Sequence, residues 1–285
     1  MSIILKDVTY TYMAKTPYEK SAIKNINLEI RPGEFLGIIG HTGSGKSTLL
    51  QHLNGLLKPT TGSITVEGEN INHKGDAARL AKRKVGMVFQ YPEHQLFEET
   101  VYDDIAFGPR NIGIDEAEVD RRVKKAMDFV GLDYNQFAKR TPFQLSGGQM
   151  RRVAIAGVIA LEPTYLILDE PSAGLDPRGR DEIFSQIIKM YQSTGITVVL
   201  VSHNMEDIAR MANRLLVMNG GEISLDGSPT DIFRDSQVQL KEAGVDVPPL
   251  TVLMNRLNQH GLAVDHTVVA MDAAVDSVLT VVRGL

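Results

Sequence analysis

Apolar residues fall along this chain in two different rhythms. In Ile3 to Tyr12, Val8, Tyr10 and Tyr12 stand at alternate positions, the spacing of a strand with one covered face, and Asn27 to Ile30 reads the same way. Arg31-Pro32-Gly33-Glu34 supplies a turn after it. Phe35 to Ile39, Gly62 to Gly68, Val85 to Gln90, Tyr165 to Asp169, Thr197 to Ser202 and Leu215 to Met218 are short runs rich in apolar and β-branched residues. Such runs predict strands buried on both faces, most of them in one sheet.

Helical patterning takes over in Lys46 to Leu57 and again between Gln95 and Ala160, notably in Glu116 to Val130 and Gln149 to Leu161. Gly131 and Pro142 interrupt the second region, which is expected to be a helical insertion over about residues 95–160. After Gly227-Ser228-Pro229 the periodicity weakens. Val247-Pro248-Pro249, followed by Leu250, Leu253, Met254 and Leu257, predicts a linker and a short amphipathic helix. The expected organisation is one large unit over 1–235 and a small C-terminal extension over 236–285, without a repeat of fixed period.

Composition narrows the function classes by exclusion. Thirty Lys and Arg against 35 Asp and Glu leave a formal charge of -5, which disfavours sequence-independent attraction to nucleic acid or anionic lipid. The chain has no cysteine, so disulfides and thiolate metal sites are excluded and a reducing compartment fits. The opening residues Met1 to Asp7 lack the basic segment and long apolar run of a secretory signal. Apolar runs such as Ile196 to Val201 are far short of the roughly 20 residues that span a bilayer. Any role at a membrane is therefore expected to come through a partner.

The candidate chemistry begins at Gly40-His41-Thr42-Gly43-Ser44-Gly45-Lys46-Ser47, a G-x-x-x-x-G-K-[ST] sequence between a buried strand and a helix. The glycines let successive backbone N–H groups turn inward on phosphate oxygens, and the helix N-terminus adds positive partial charge. Lys46 is expected to bind β- and γ-phosphates, Ser47 to ligate Mg²⁺, and the adjoining Thr48 to belong to the same nucleotide site. Tyr165-Leu166-Ile167-Leu168-Asp169-Glu170 is an apolar strand ending in two carboxylates. There Asp169 can orient the metal's water shell and Glu170 can act as general base on the attacking water. Leu145-Ser146-Gly147-Gly148-Gln149 precedes a helix and offers an anion a hydroxyl, two close-approach glycines and a helix N-terminus.

This last segment resembles the signature motif of ABC-transporter ATPases, and the resemblance covers roughly residues 1 to 235. It implies an α/β P-loop NTPase core with an antiparallel β subdomain and a helical insertion, using ATP and Mg²⁺. In that family two subunits meet head to tail, so that Ser146, Gly147, Gly148 and Gln149 of one chain close on the ATP held by the phosphate loop of the other. By the same resemblance Tyr12 stacks on adenine, with Tyr10 and Tyr18 as alternatives. Gln90 contacts Mg²⁺ and the attacking water and hinges the helical insertion. His203 donates to the γ-phosphate and orients Glu170. Asp176, in Ser172-Ala173-Gly174-Leu175-Asp176, belongs to the loop that couples the two sites, and also reads as a helix cap before Pro177.

Phe89-Gln90-Tyr91-Pro92-Glu93-His94-Gln95-Leu96-Phe97, Asp104-Ile105-Ala106-Phe107-Gly108-Pro109 and Gln149 to Gly157 are similar to the energy-coupling factor (ECF) ATPases. Met150-Arg151-Arg152 resembles the second of their two paralogues, the A-prime type. What this implies is a peripheral ATPase on the cytoplasmic face of the cell membrane, powering an importer of vitamins or other micronutrients, metal ions among them. The implied partners are a second ATPase in a heterodimer, an integral coupling protein and an exchangeable substrate-binding subunit, with no nucleic acid. The region from about Val238 is similar to the extension by which these ATPases pair. An exporter ATPase shares the same core chemistry and stands as the nearer alternative. A soluble ABC ATPase of DNA repair or chromosome structure is more distant, because no heptad-patterned insertion is present.

Overall fold

The computed structural model describes residues 2–265, 268 and 271–283. Among them run ten strands: β1 (Ile3–Tyr12), β2 (Lys20–Ile30), β3 (Phe35–Ile39), β4 (Thr61–Val66), β5 (Glu69–Asn70), β6 (Val85–Val88), β7 (Tyr165–Asp169), β8 (Thr197–Val201), β9 (Arg214–Asn219) and β10 (Glu222–Gly227). They form two sheets. The larger has the order β10-β9-β3-β8-β7-β6, parallel throughout except for the antiparallel edge pair of β10 and β9.

The continuous apolar runs form the centre of this sheet because both of its faces are covered. Phe35, Ile39, Leu166, Leu168, Val198 and Leu200 enter one core cluster, with the helices. Their neighbours Leu36, Ile38, Tyr165, Ile167, Val199 and Val201 enter the other, with the second sheet. Alternation is present, but both alternating faces are apolar.

One predicted strand belongs elsewhere. The run Gly62 to Gly68 supplies β4 of the smaller antiparallel sheet, order β2-β1-β4-β5, where Ile3 pairs with Val66 and Leu5 with Ile64. Its burial alternates, with Ile64 and Val66 inside and Ser63 and Thr65 half-covered, which is the mark of a sheet covered on one face only. β2 also starts earlier than the apolar spacing indicates, at Lys20, because antiparallel pairing with Tyr12 extends it.

Helix α1 (Lys46–Leu53) ends before the expected Leu57, at Asn54, where Gly55 adopts φ +72°. After α2 (Asp76–Arg83), the helical insertion consists of α3 (Val101–Asn111), α4 (Glu116–Phe129), α5 (Tyr134–Phe137) and α6 (Gly147–Ile159). Each opens on a side chain that accepts a backbone N–H of the first turn: Thr100, Asp115, Asp133 and Ser146. Helix α7 (Pro177–Thr194) is capped by Asp176 through the Gly179 N–H at 2.8 Å, as its sequence predicts.

Helix α8 (Met205–Met211) packs so closely on β3 that a Cβ at Gly37 would lie 2.9 Å from Ile208 Cγ2 and 3.2 Å from Ala212 Cβ. Gly37→Ala is therefore expected to overpack this junction and cost about 1–3 kcal/mol of stability, read as a lower denaturant midpoint. An unchanged midpoint would mean that α8 shifts without penalty.

Helices α9 (Pro229–Asp235) and α10 (Gln237–Glu242) rejoin the main core through Phe233, Leu240, Ala243 and Val245. Beyond them, α11 (Pro249–Gln259) and α12 (Met271–Arg283) enclose a small separate cluster of Leu250, Met254, Val264 and Ala274. Residues 266, 267, 269, 270, 284 and 285 of the expected extension lie outside the described residues. No helix among the described residues is long and apolar enough to cross a membrane.

Candidate functional site

The phosphate-loop sequence leaves the carboxyl end of the central strand β3 and enters α1, the position where ligands bind open α/β sheets. Its tight path depends on glycine. Gly45 has φ +106°, and a Cβ there would meet the Ala22 carbonyl oxygen at 2.5 Å. Gly40 lies so near Met218 and Ser44 that a Cβ would come within 2.3 Å of the Met218 oxygen and 2.6 Å of Ser44 Oγ. Ser44 is fully buried beneath the loop.

Lys46 is 7% exposed and folds along the loop, its Nζ donating to the carbonyl oxygens of Gly40 (2.6 Å) and His41 (3.0 Å). Burial lowers its pKa, while Glu170 and Asp169 nearby act in the opposite direction. Thr42, Gly43, Gly45, Lys46, Ser47 and Thr48 line a cleft of about 320 Å³ together with Tyr12, Lys20, Ala22, Gln90, Glu170 and His203, a size fit for a small ligand.

Three candidate tyrosines separate here. Tyr12 lines the cleft and its hydroxyl shares a 3.2 Å hydrogen bond with Thr48 Oγ1. Tyr10 stands behind it, edge-on to both Tyr12 and His52 at 4.8 Å between centroids. Tyr18 is exposed and outside the cleft lining.

The ends of β7 and β8 carry the candidate carboxylates and His203. Asp169 pairs with Val201, and the Glu170 N–H extends the ladder to the Val201 oxygen at 3.0 Å. Glu170 then turns out of the strand at φ +50°, a conformation that non-glycine residues seldom adopt. Its carboxylate meets His203 Nε2 at 2.6 Å and accepts from Gln90 Nε2 at 3.3 Å. Asp169 is 7% exposed and accepts from the Ser47 hydroxyl.

Burial raises the Asp169 pKa, with Ser47, Lys46 and His203 opposing. It raises that of Glu170 too, with His203 and Lys46 opposing and Asp169 adding to the rise. A carboxyl whose folded pKa is raised stabilises the fold below its unfolded pKa and loses that contribution as pH rises through the folded value. Glu170→Gln is accordingly expected to raise the melting temperature of the nucleotide-free protein at pH 7.5, with the gain fading below about pH 4. A lower melting temperature at neutral pH would instead mean that the His203 contact outweighs the burial penalty.

The Ser47 hydroxyl, bonded to the Asp169 carboxylate, and the Gln90 amide, which lines the same cleft as Ser47, offer hard oxygen donors of the kind that suit Mg²⁺. That ion takes one or two protein oxygens and completes its shell with phosphate and water. Among the described residues no group of three His, Cys, Asp or Glu side chains forms a self-sufficient metal site.

Ser146 caps α6 in a reciprocal box, its Oγ accepting from the Gln149 N–H (3.3 Å) while Gln149 Oε1 accepts from the Ser146 N–H (3.0 Å). Open space faces the place where a Cβ of Gly147 would lie. Ser146, Gly147, Gly148, Gln149 and Asp176 line a second cleft of about 620 Å³ that shares no residue with the first. Each cleft is bordered by the N-terminus of a helix, α1 in the first and α6 in the second, where backbone N–H groups are free of intrahelical partners.

Sequence reasoning passed over Lys20 and Ala22, which reach the first cleft only because β2 pairs with β1 and sets Lys20 opposite Tyr12. It also missed the approach of Gly244 to the phosphate loop, where a Cβ would lie 3.2 Å from His41 Cβ.

A family profile described as ABC transporter matches residues 23–173. The energy-coupling factor transporter ATP-binding protein EcfA2 of Clostridium perfringens is 52% identical over 284 residues, covering 100% of this chain and 99% of the relative. Its counterpart in Clostridioides difficile is 49% identical with the same coverage. Among solved structures, cbiO1 from Clostridium perfringens, part of the ABC transporter complex cbiONQ, superposes with a TM-score of 0.73 at 34% identity over 90% of this chain and 97% of that one. An ATP-binding cassette solved as a dimer in a post-hydrolysis state with ADP and Pi gives 0.71 at 31% identity, over 80% and 98%.

Proposed function

Because this chain belongs to the ABC transporter ATPases, and within them to the energy-coupling factor transporter ATP-binding proteins, we propose that its two clefts are halves of composite ATP sites completed by a second ATPase subunit. The chain is an ATP-hydrolysing subunit that energises an ECF transporter. Its partners are other subunits of that transporter, and it associates with the membrane through them.

One observation carries the composite reading: the signature cleft and the phosphate-loop cleft share no lining residue. A γ-phosphate held at Lys46 needs a second set of donors, and an identical or paralogous neighbour arranged head to tail brings a Ser146-type turn to it. ATP binding then closes the pair and hydrolysis removes the bridge. The solved cassette dimer with ADP and Pi supports such an assembly for a relative.

Within each site Lys46 grips β- and γ-phosphates, Ser47, Asp169 and Gln90 hold Mg²⁺, and Tyr12 stacks on adenine. The metal would neutralise charge on the phosphates. Glu170 accepts a proton from the attacking water, His203 fixes the Glu170 carboxylate and donates to the γ-phosphate, and Gln90 reports on both to the helical insertion. Asp176 and its loop face the neighbouring subunit.

The partner set is a paralogous ATPase, an integral coupling protein and an exchangeable membrane subunit that captures a micronutrient, with this chain as the second paralogue on the cytoplasmic face. The surface after Gln90, where Phe97 and Phe107 are exposed and stand edge-on at 4.8 Å, receives helices of the coupling protein. The extension over 236–285 pairs the ATPases, supported by exposed Met271, Val275, Leu279 and Val282 along one stripe of α12. Purifying the complex from native membranes and identifying its subunits tests this reading. A paralogous ATPase with integral membrane proteins upholds it, and nucleic acid in their place overturns it.

A further inference from the structure

The second turn of α6 carries a charge that neither cleft uses. Arg151 is 2% exposed, and its guanidinium divides its donors among different segments. Nε and Nη2 hold the Glu93 carboxylate in a two-point fork at 3.0 and 2.8 Å. Nη1 donates to the Ala173 carbonyl oxygen. The charged plane also lies 5.8 Å from the centre of the Tyr91 ring. Burial would push the Glu93 carboxyl up, yet the Arg151 hydrogen bonds hold it below the ordinary range.

The three segments gripped by this one side chain are those assigned to different tasks in the nucleotide cycle. Tyr91 and Glu93 follow Gln90, whose amide touches Glu170. Ala173 lies in the Ser172–Asp176 loop that borders the second cleft. Arg151 itself sits on the helix capped by Ser146. Tyr91, at φ +55°, is also within reach of Gly174, where a Cβ would stand 3.9 Å from its ring. The same loop also passes near the signature turn, where a Cβ built at Gly148 would stand 3.8 Å from Leu175 Cδ2.

We propose that Arg151 is a positioning residue that locks the Gln90 segment, the signature helix and the Ser172–Asp176 loop into one moving body, so that engagement of Ser146 by the neighbour's nucleotide repositions Gln90 in this chain's own site. This rests on the composite-site reading and gives it a mechanical link. The geometry explains why arginine is needed: a planar fork serves a carboxylate on two bonds while a third nitrogen reaches a carbonyl, which an ammonium cannot do in the same directions. A buried ion pair is poor value as a source of stability, since apolar packing of equal volume often does as well, and a role in register or switching is its best-attested use. The link is a chain of rigid contacts between two sites, the physical form that coupling requires.

The test uses the assembled transporter with this chain carrying Arg151→Gln, Arg151→Lys, Glu93→Gln or the double change Arg151→Gln/Glu93→Gln. Arg151→Gln leaves the half-buried Glu93 carboxylate unpaired and Glu93→Gln the buried Arg151 guanidinium, so each is expected to melt lower. The double variant removes both charges, leaves two amides able to hydrogen-bond, and is expected to recover most of the melting temperature. Recovered stability should not bring recovered turnover: kcat for ATP should stay about 5- to 150-fold down, with KM and binding of a fluorescent ATP analogue within about twofold of the parent. Arg151→Lys should stay slow as well.

A double variant that turns over and transports at the parental rate overturns the proposal and leaves Arg151 a stabilising residue only. A loss of nucleotide binding in step with kcat overturns it too, since the effect would then lie in the phosphate-loop cleft. If the parental complex itself hydrolysed no ATP, the underlying functional reading would be what failed.

Discussion

Glu170→Gln is expected to keep MgATP bound and the closed dimer trapped while steady-state phosphate release falls by about 10²–10⁴-fold, the range a positioned general base supplies. The substitution keeps shape and hydrogen-bonding reach, so Gln90 and His203, at 3.3 and 2.6 Å from the carboxylate, retain a partner. What it removes is the capacity to take a proton from water. Burial already raises the affinity of Glu170 for that proton, which moves the group toward the pKa a base needs near neutral pH. Chromatography with MgATP reads the trapped dimer and a phosphate assay reads turnover. Undiminished phosphate release would take the proton-acceptor role away from Glu170.

Lys46→Ala is expected to fail one step earlier, at nucleotide binding. The ammonium is anchored between the Gly40 and His41 carbonyl oxygens, at 2.6 and 3.0 Å, on the cleft proposed to hold the β- and γ-phosphates. Hydrogen bonds to charged groups contribute about 1.5–3 kcal/mol each, so losing one or two should weaken ATP binding by roughly 10-fold to 10⁴-fold. Because binding drives closure, dimer formation should be lost as well. Titration with a fluorescent ATP analogue measures it. Parental affinity with normal turnover would show that the loop backbone alone holds the phosphates. The two variants thus separate, one binding without splitting and the other losing its grip.

Much of this was legible in the chain because the phosphate loop, the Asp169-Glu170 strand end and the Ser146 turn are each local: a few consecutive residues fix both the conformation and the chemistry. The central strands were legible for the same reason. Their continuous apolar runs follow from a sheet covered on both faces. Long-range pairing was less accessible. The Gly62 to Gly68 run looked like its counterparts, and only its antiparallel register with β1 shows that it belongs to the smaller sheet. Lys20 became part of the cleft through the same kind of pairing. Arg151 shows the limit most sharply. Its partners Glu93 and Ala173 are 58 and 22 positions away, and nothing in Met150-Arg151-Arg152 marks the middle side chain as the one turned inward.

Asp176 belonged to both readings at once. Its cap of α7 through the Gly179 N–H is a matter of three residues and was predictable. Its place on the second cleft depends on how the α6 and α7 termini converge. A helix cap and a face toward a neighbouring subunit are compatible, because the cap uses one carboxylate oxygen.

The proposed mechanism requires a phosphate shared between two subunits, which a structure of the Glu170→Gln transporter assembly with MgATP examines directly. The expected result is the Ser146 turn of one ATPase within hydrogen-bonding distance of a γ-phosphate that the other subunit's phosphate loop holds through its lysine. A transport-competent, nucleotide-loaded assembly in which the Ser146 turn faces bulk solvent would contradict it.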